Sequence, residues 1–377
     1  MNFDLDAEHE LIRDTVRRFA LEKVAPVAEE LDREKRFPYE IVAGLAELGV
    51  MGMTIPEEYG GGGTDTLSYA IAVEELTRID SSVAITVAAH HSLGTLPIYY
   101  FGTEEQRRRF LPELASGAKL AAFGLTEPGA GSDAGATRTT ARLEGGEWVI
   151  DGAKMFITNA GTDITACVTI TALTGDGEIS NIVVPNGTPG YTISEPMQKL
   201  GWRASDTREL SFQGARVPEE NLLGPRGDGF RQFLTILDGG RISVAAMGVG
   251  LAQGCYDLAV SYARDREQFG KPIARFQAVQ TMLVDMATEI EAARYLVWKA
   301  AWEKDEGRDF ARTAAMAKLY SGELSHRAAN WSLQIHGGYG FMDEYPISRL
   351  YRDQKILEIG EGTNEVQRMV IAKHLGL

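Results

Sequence analysis

A chain of 377 residues is too long for one simple core, so two or three domains are expected. Its 44% hydrophobic and 24% charged content is that of an ordinary globular protein, and a net charge of -15 with no basic block argues against a protein that tracks nucleic-acid phosphates. The opening MNFDLDAEHELIRD is acidic without an apolar signal core, and no run of about 18 apolar residues appears, so a cytoplasmic protein with no membrane span is expected.

Residues 1–118 read as helical. Ile12, Val16 and Phe19 follow the spacing of a buried stripe, with Arg13, Asp14, Arg17 and Arg18 left for water. Pro26 interrupts, and Pro38 opens a helix carrying Ile41, Leu45 and Leu48. The glycine-rich stretch 56–64 reads as a flexible connection; it lacks the Lys-Ser/Thr pair of a phosphate-binding loop. Helical runs follow at 65–80 and 83–100, and Thr103 caps another. His90 and His91 are adjacent, so their side chains diverge by about 100° and cannot chelate one metal from one helix face; they read as packing residues.

From 119 to 225 the chain is rich in Thr, Val, Ile and Gly. Ala166, Val168, Ile170 and Ala172 alternate with Cys167, Thr169 and Thr171, and Gly145-Gly146, Gly175-Asp-Gly177 and Pro185-Asn-Gly187 mark turns. The segment has no long crossover helices, so an antiparallel β domain is expected. Residues 226–377 return to helical spacing, with long runs through Ile242–Ala263, Val279–Val297 and Ala314–Ile335 and a shorter one over Asn364–His374. The fold class is α+β with three domains. Cys167 and Cys255 lie in apolar patterns and read as buried packing residues. No metal site is expected.

Five stretches carry chemistry. Phe123-Gly-Leu-Thr-Glu-Pro-Gly-Ala-Gly-Ser-Asp133 offers backbone N–H groups and the hydroxyls of Thr126 and Ser132, the surface that a flat, polar-edged heterocycle needs. Lys154-Met-Phe-Ile-Thr-Asn159 places Phe156 and Thr158 on one strand face. Arg264-Asp-Arg-Glu-Gln-Phe-Gly-Lys-Pro-Ile273 joins Arg266, suited to a pyrophosphate, to Phe269, suited to an adenine. Leu237-Asp-Gly-Gly-Arg241 heads a long helix, and Gln334-Ile-His-Gly-Gly-Tyr-Gly340 exposes backbone beside Gln334. Near the end, Glu361 sits on a break between two helices with Gly360 and Gly362 on either side, and so can come close to a ligand.

In this order and at these spacings the stretches resemble the acyl-CoA dehydrogenase family over essentially the whole chain. The resemblance implies that family's fold: a helical domain, a β-barrel-like domain and a four-helix bundle, assembled as a homotetramer with one FAD per subunit. It also accounts for FAD without a G-x-G-x-x-G strand–helix fingerprint. By motif match, Phe123, Thr126, Ser132, Phe156 and Thr158 would meet the flavin; many members carry Trp where Phe156 stands. Arg266, Gln268, Phe269, Gln277, Gln334, Gly337 and Gly338 would hold the ADP portion of an FAD belonging largely to a neighbouring subunit, and Thr363 and Glu365 would also touch FAD. Ser132, Asp238, Arg241 and Gly362 would line the acyl-CoA site.

The implied chemistry is α,β-dehydrogenation of a short- to medium-chain acyl-CoA to the trans-2-enoyl-CoA in fatty acid β-oxidation. Glu361 would take the α-proton, hydride would pass to flavin N5, and an electron-transfer flavoprotein would take the electrons. Some members carry the base on the helix of the L-D-x-x-R segment; Gly240 stands there in this chain. Region 83–93 lacks the arginine of glutaryl-CoA enzymes, which disfavours a dicarboxylic substrate. A branched-chain acyl-CoA dehydrogenase, an oxidase-like flavoenzyme and a non-catalytic acyl-CoA-binding scaffold are the competing readings.

Overall fold

The computed structural model describes residues 4–377. Its first part is helical: α1 Ala7–Phe19, α2 Ala28–Glu34, α3 Tyr39–Glu47, α4 Thr66–Thr77, α5 Ser81–Ala88, α6 Leu96–Phe101 and α7 Glu104–Ala115. Asp6, Asp65, Asp80 and Thr103 precede α1, α4, α5 and α7, and each accepts a hydrogen bond from the N–H three residues on. These caps satisfy donors that a helix start leaves open. The run expected over 83–100 is broken: α5 passes into a π-helical segment, Ala89–Thr95, before α6 begins.

That π segment carries the two histidines, both fully buried. His90 Nε2 donates to Leu114 O at 2.9 Å while its Nδ1 accepts from Ala121 N at 3.1 Å. His91 contacts Met51 O at 3.2 Å and Thr54 Oγ1 at 2.8 Å. Burial pushes their pKa values down, to about 4 and about 3, so both are neutral packing residues.

The stretch 56–64 differs from the flexible connection expected. Gly62, Gly63 and Thr64 donate backbone bonds to Gly52, Ile55 and Met53, and a Cβ on Gly61 would sit 2.1 Å from Ile55 O. Its glycines permit close packing of the chain on itself.

The central strands are β1 Leu120–Gly124, β2 Thr140–Glu144, β3 Glu147–Thr158, β4 Thr165–Gly175, β5 Glu178–Pro185, β6 Tyr191–Ile193, β7 Thr207–Pro218 and β8 Leu222–Leu223. They pair in the order β6-β7-β3-β2-β4-β5-β8. The expectation of a wholly antiparallel domain is corrected at the interior strand β4: β1 lies parallel to β4, and β2 also meets β4 at one parallel pair. The β1-to-β4 connection is made by β2 and β3 themselves, which is why the sequence shows no crossover helix. Trp148, Ile150, Val168, Ile170, Leu210 and Phe212 fill the interior, with Tyr191 stacked on Phe212 at 4.9 Å. Cys167 and Val183 face the other way, into a cluster with Ile55, Ile98, Leu111 and Leu114. β4 is thus buried on both faces.

The last part holds α8 Gly229–Asp265, a short hairpin of β9 Glu267–Gln268 and β10 Lys271–Pro272, then α9 Gln277–Asp305, α10 Ala311–His336, α11 Pro346–Asp353 and α12 Asn364–His374. Helix α8 is the axis of the molecule. A Cβ on Gly250 would sit 2.2 Å from Glu74 O of α4, one on Gly254 2.3 Å from Arg78 O, and one on Gly248 2.8 Å from Ser321 of α10. Those glycines let backbone lie against backbone. α8 is long and apolar enough to cross a membrane, but 72% of its most apolar window is buried inside the protein, so its apolarity serves the core. Cys255 lies buried on it, and burial pushes that thiol and the Cys167 thiol up, the latter to about 12.

Candidate active site

Two of the motif stretches are fastened together by a buried ion pair. Lys154 on β3 is fully buried, and its ammonium donates to Glu127 Oε1 at 2.7 Å, Thr171 Oγ1 at 3.0 Å and Leu125 O at 3.2 Å. Glu127 also accepts from Thr137 Oγ1, from Arg138 N at 2.7 Å and from Thr139 N at 3.0 Å. Burial works against its charge, but Lys154 and these donors prevail and hold its pKa down at about 2. The Lys154 pKa is lowered by burial, to about 8. The sequence reading missed both residues. The signal was there: an acid in the middle of the glycine-rich stretch and a lysine at an inward strand register.

With that turn fixed, Phe123 ends β1 against Phe233 and Ile236 of α8. Thr126 O accepts from Met155 N at 2.8 Å, and Ser132 is exposed. β3 loses regular pairing with β7 between Lys154 and Ile157, and Phe156 sits in that irregularity at φ +62° and 61% exposed. A bulky residue in the left-handed region is strained by roughly 1 kcal/mol or more, so the surrounding fold must impose it. Ile157 turns into the core and Thr158 is half-buried.

Glu361 stands on a turn between a short 3₁₀ segment, Gln354–Glu358, and α12. Its φ is +52° and that of Gly362 is +87°. The residue is partly exposed through its backbone, yet both carboxylate oxygens are buried and accept no hydrogen bond among the described residues. Nor, among the described residues, do the N–H groups of Glu361 and Gly362 find an acceptor. A Cβ on Gly240 of α8 would lie 2.1 Å from Glu361 Oε2, so glycine there is what leaves the carboxylate its place. Burial raises the Glu361 pKa to about 7, with Lys318 and Arg241 opposing the rise. Arg241 is itself 4% exposed and ion-paired to Asp238 one turn back.

Lys318 of α10, absent from the sequence reading, is fully buried below the turn and donates to Gly362 O at 2.8 Å and Asn364 Oδ1 at 3.2 Å. Thr363 opens the next helix. It is the N-cap of α12, its hydroxyl oxygen accepting from Val366 N at 3.3 Å. Glu365, in the first turn of α12, is exposed.

The remaining candidates gather elsewhere. Arg266 lies over the Tyr339 ring at 5.6 Å, and Tyr262 stacks on the buried His336 at 4.4 Å, which joins the 264–273 stretch to the 334–340 stretch. Gln268, Gln277, Gln334, Gly337 and Gly338 are exposed there, and Phe269 is 93% exposed at φ +53°. No hydrogen bond, ion pair or ring contact among the described residues links this group to Phe156 or Glu361.

The motif stretches thus bring a carboxylate buried without a partner among the described residues, a strained aromatic and a turn of bare backbone. Models of the acyl-CoA dehydrogenase N-terminal, middle and C-terminal domains match residues 6–118, 122–215 and 227–376. The chain belongs to the acyl-CoA dehydrogenase family. It is 52% identical over 380 residues to a probable acyl-CoA dehydrogenase of Bacillus subtilis (strain 168), covering 100% of both chains. It is also similar to the butyryl-CoA dehydrogenase structure from Megasphaera elsdenii, at TM-score 0.97 and 42% identity, with 100% of each chain covered. An acyl-CoA dehydrogenase from Bacillus anthracis complexed with FAD matches at TM-score 0.93 and 36% identity, over 99% of this chain and 67% of that one.

Proposed function

We propose that the protein is an FAD-dependent dehydrogenase of short-chain acyl-CoA thioesters, with Glu361 as the base that removes the α-proton. The observation that carries this reading is the Glu361 carboxylate, buried without a partner and facing Gly240. Nothing in the fold uses that group, and a buried carboxylate without hydrogen bonds is expensive to keep for structure alone. With a pKa raised to about 7 it is a far better base near neutral pH than an ordinary glutamate.

The residues present fit an FAD: the exposed Phe156 offers an aromatic face, Thr126 and Thr158 offer hydroxyls, and Gly240 leaves room beside the base. When bound, the flavin supplies the acceptor for the hydride leaving the substrate β-carbon. The chain does the rest. Glu361 takes the α-proton, and its backbone N–H, free of any internal acceptor, is available to the thioester oxygen as negative charge develops there. Asp238, Arg241 and Gly362 flank the base along the acyl-CoA path.

The second exposed group of Arg266, Gln268, Phe269, Gln277, Gln334, Gly337 and Gly338 fits a dinucleotide held across subunits, its ADP half resting on the end of a neighbour's bundle. A homotetramer with an electron-transfer flavoprotein as electron acceptor completes the reading. The short chain length rests on the likeness to butyryl-CoA dehydrogenase.

Anaerobic bleaching of the bound flavin by butyryl-, octanoyl- and isovaleryl-CoA tests it. Butyryl-CoA should bleach the flavin fastest, and Glu361→Gln should slow bleaching by between about 10²- and 10⁴-fold with flavin still bound. A variant that bleaches at the wild-type rate removes Glu361 as the base.

A further inference from the structure

A lysine in the middle of a buried helix face is costly, and Lys318 of α10 is such a lysine. The burial of Ala314, Ala317, Ser321, Leu324 and Ser325 shows that its face looks into the core. Among the described residues no carboxylate lies within ion-pairing distance of its ammonium, in contrast to Lys154. Burying an ammonium without a paired carboxylate costs several kcal/mol, and an alanine or leucine would remove that cost. The bond it makes to Gly362 O does not repay it, because Gln367 Nε2 already donates to the same carbonyl at 2.9 Å. What Lys318 adds there is charge.

We propose that Lys318 is a positioning residue for Glu361: bonded to Gly362 O and Asn364 Oδ1, it holds the left-handed turn that aims the carboxylate at Gly240, and its positive charge keeps that carboxylate ionised between turnovers. The local geometry favours this role. A Cβ on Gly322, one turn beyond Lys318, would lie 3.0 Å from Leu357 O and 3.3 Å from Asn364 Oδ1, so α10 presses directly on the chain either side of the turn. The charged and titratable groups around the pair come from every neighbouring element. They are Arg241 of α8, Tyr69 of α4, Glu358 of the 3₁₀ segment and Glu365 of α12. Glu358 is ion-paired to Lys355 and Glu365 is exposed, whereas the Glu361 oxygens have no hydrogen-bond partner among the described residues. The Lys318 charge therefore falls chiefly on Glu361. Its own pKa is lowered by burial to about 8, with Glu361 the largest opposing influence.

This inference rests on the reading of Glu361 as the base, and one experiment separates the two. The flavin-loaded enzyme and its Lys318→Gln, Lys318→Met and Lys318→Arg variants are reduced anaerobically with butyryl-CoA across pH. Lys318→Gln removes the charge while keeping an N–H donor, on a side chain one bond shorter. It should move the acidic limb of the rate profile up by about one pH unit, slowing reduction about tenfold below the limb with little change in KM. Lys318→Arg should return the limb to its wild-type position. An unshifted limb in Lys318→Gln, or in Lys318→Met should the first variant not fold, overturns the proposal. So does a uniform loss at every pH that Lys318→Arg fails to restore, which is the mark of a purely structural lysine. Glu361→Gln run alongside reports on the base: if it reduces at the wild-type rate, the reading of Glu361 falls, whatever the lysine variants do.

Discussion

The molecule buries two lysines near two glutamates and obtains opposite results. Lys154 touches Glu127, and further donors from Thr137, Arg138 and Thr139 complete the carboxylate's shell, so its pKa falls to about 2. Lys318 stands off from Glu361, spends its donors on Gly362 and Asn364, and leaves the carboxylate bare, so burial prevails and its pKa rises to about 7. The two lysines are alike, both fully buried and with a pKa lowered to about 8. Contact, together with the deeper burial of the Glu361 carboxylate, makes the difference. A fully bonded pair is a rivet, and a carboxylate held a step away from its countercharge is a reagent.

The comparison breaks first at Glu127. Glu127→Ala leaves the Lys154 ammonium buried and unpaired, with an expected loss of about 3–5 kcal/mol in chemical denaturation. Equal stability to wild type would mean that the pair is not a structural fastener. Glu361→Gln should have the opposite sign. A folded-state pKa of about 7 above an unfolded value near 4.5 means that the native state binds the proton more tightly, so stability falls as pH rises between the two values. Removing the titrating group should therefore stabilise the protein at pH 8 by up to about 3 kcal/mol, and a destabilised variant would contradict the picture of a bare carboxylate. Gly240→Ala sharpens the geometry. Its methyl would occupy the place of Glu361 Oε2, and displacing a base by about 1 Å can cost on the order of 10²-fold in flavin-reduction rate. Smallest is the wild-type pH profile. The rate with butyryl-CoA should rise about tenfold per pH unit below about pH 7 and level above it, because only the ionised base can accept the proton.

Much of this was legible from local pattern. The helix expected over Asn364–His374 has those bounds, Thr103 caps α7, and the glycines around Glu361 mark a true break. What stayed hidden depends on contacts far apart in the chain. The parallel pairing of β1 with β4 joins residues over 40 positions apart and leaves no trace in alternation, since both faces of β4 are buried. The π segment at Ala89–Thr95, which holds the two buried histidines, is not registered by helix propensity. The positive φ of Phe156 carries no glycine to announce it. Lys318 stands on an otherwise small, apolar helix stripe, and pattern alone does not separate a buried lysine there from a solvated one.

The twofold bonding of His90 has a consequence for how the molecule comes apart. One neutral imidazole donates to the carbonyl of Leu114, near the end of α7, and accepts from the amide of Ala121 in β1, so it clamps both sides of the connection between the helical region and the sheet. Gln106 of α7 adds bonds to the carbonyls of Glu220 and Leu222 at the sheet's far end. Neither region can open there without stranding buried donors and acceptors in the other, a cost of about 1–3 kcal/mol for each group. Two regions that look separable in the sequence are thereby coupled in melting, and the helical region and the sheet lose their order together.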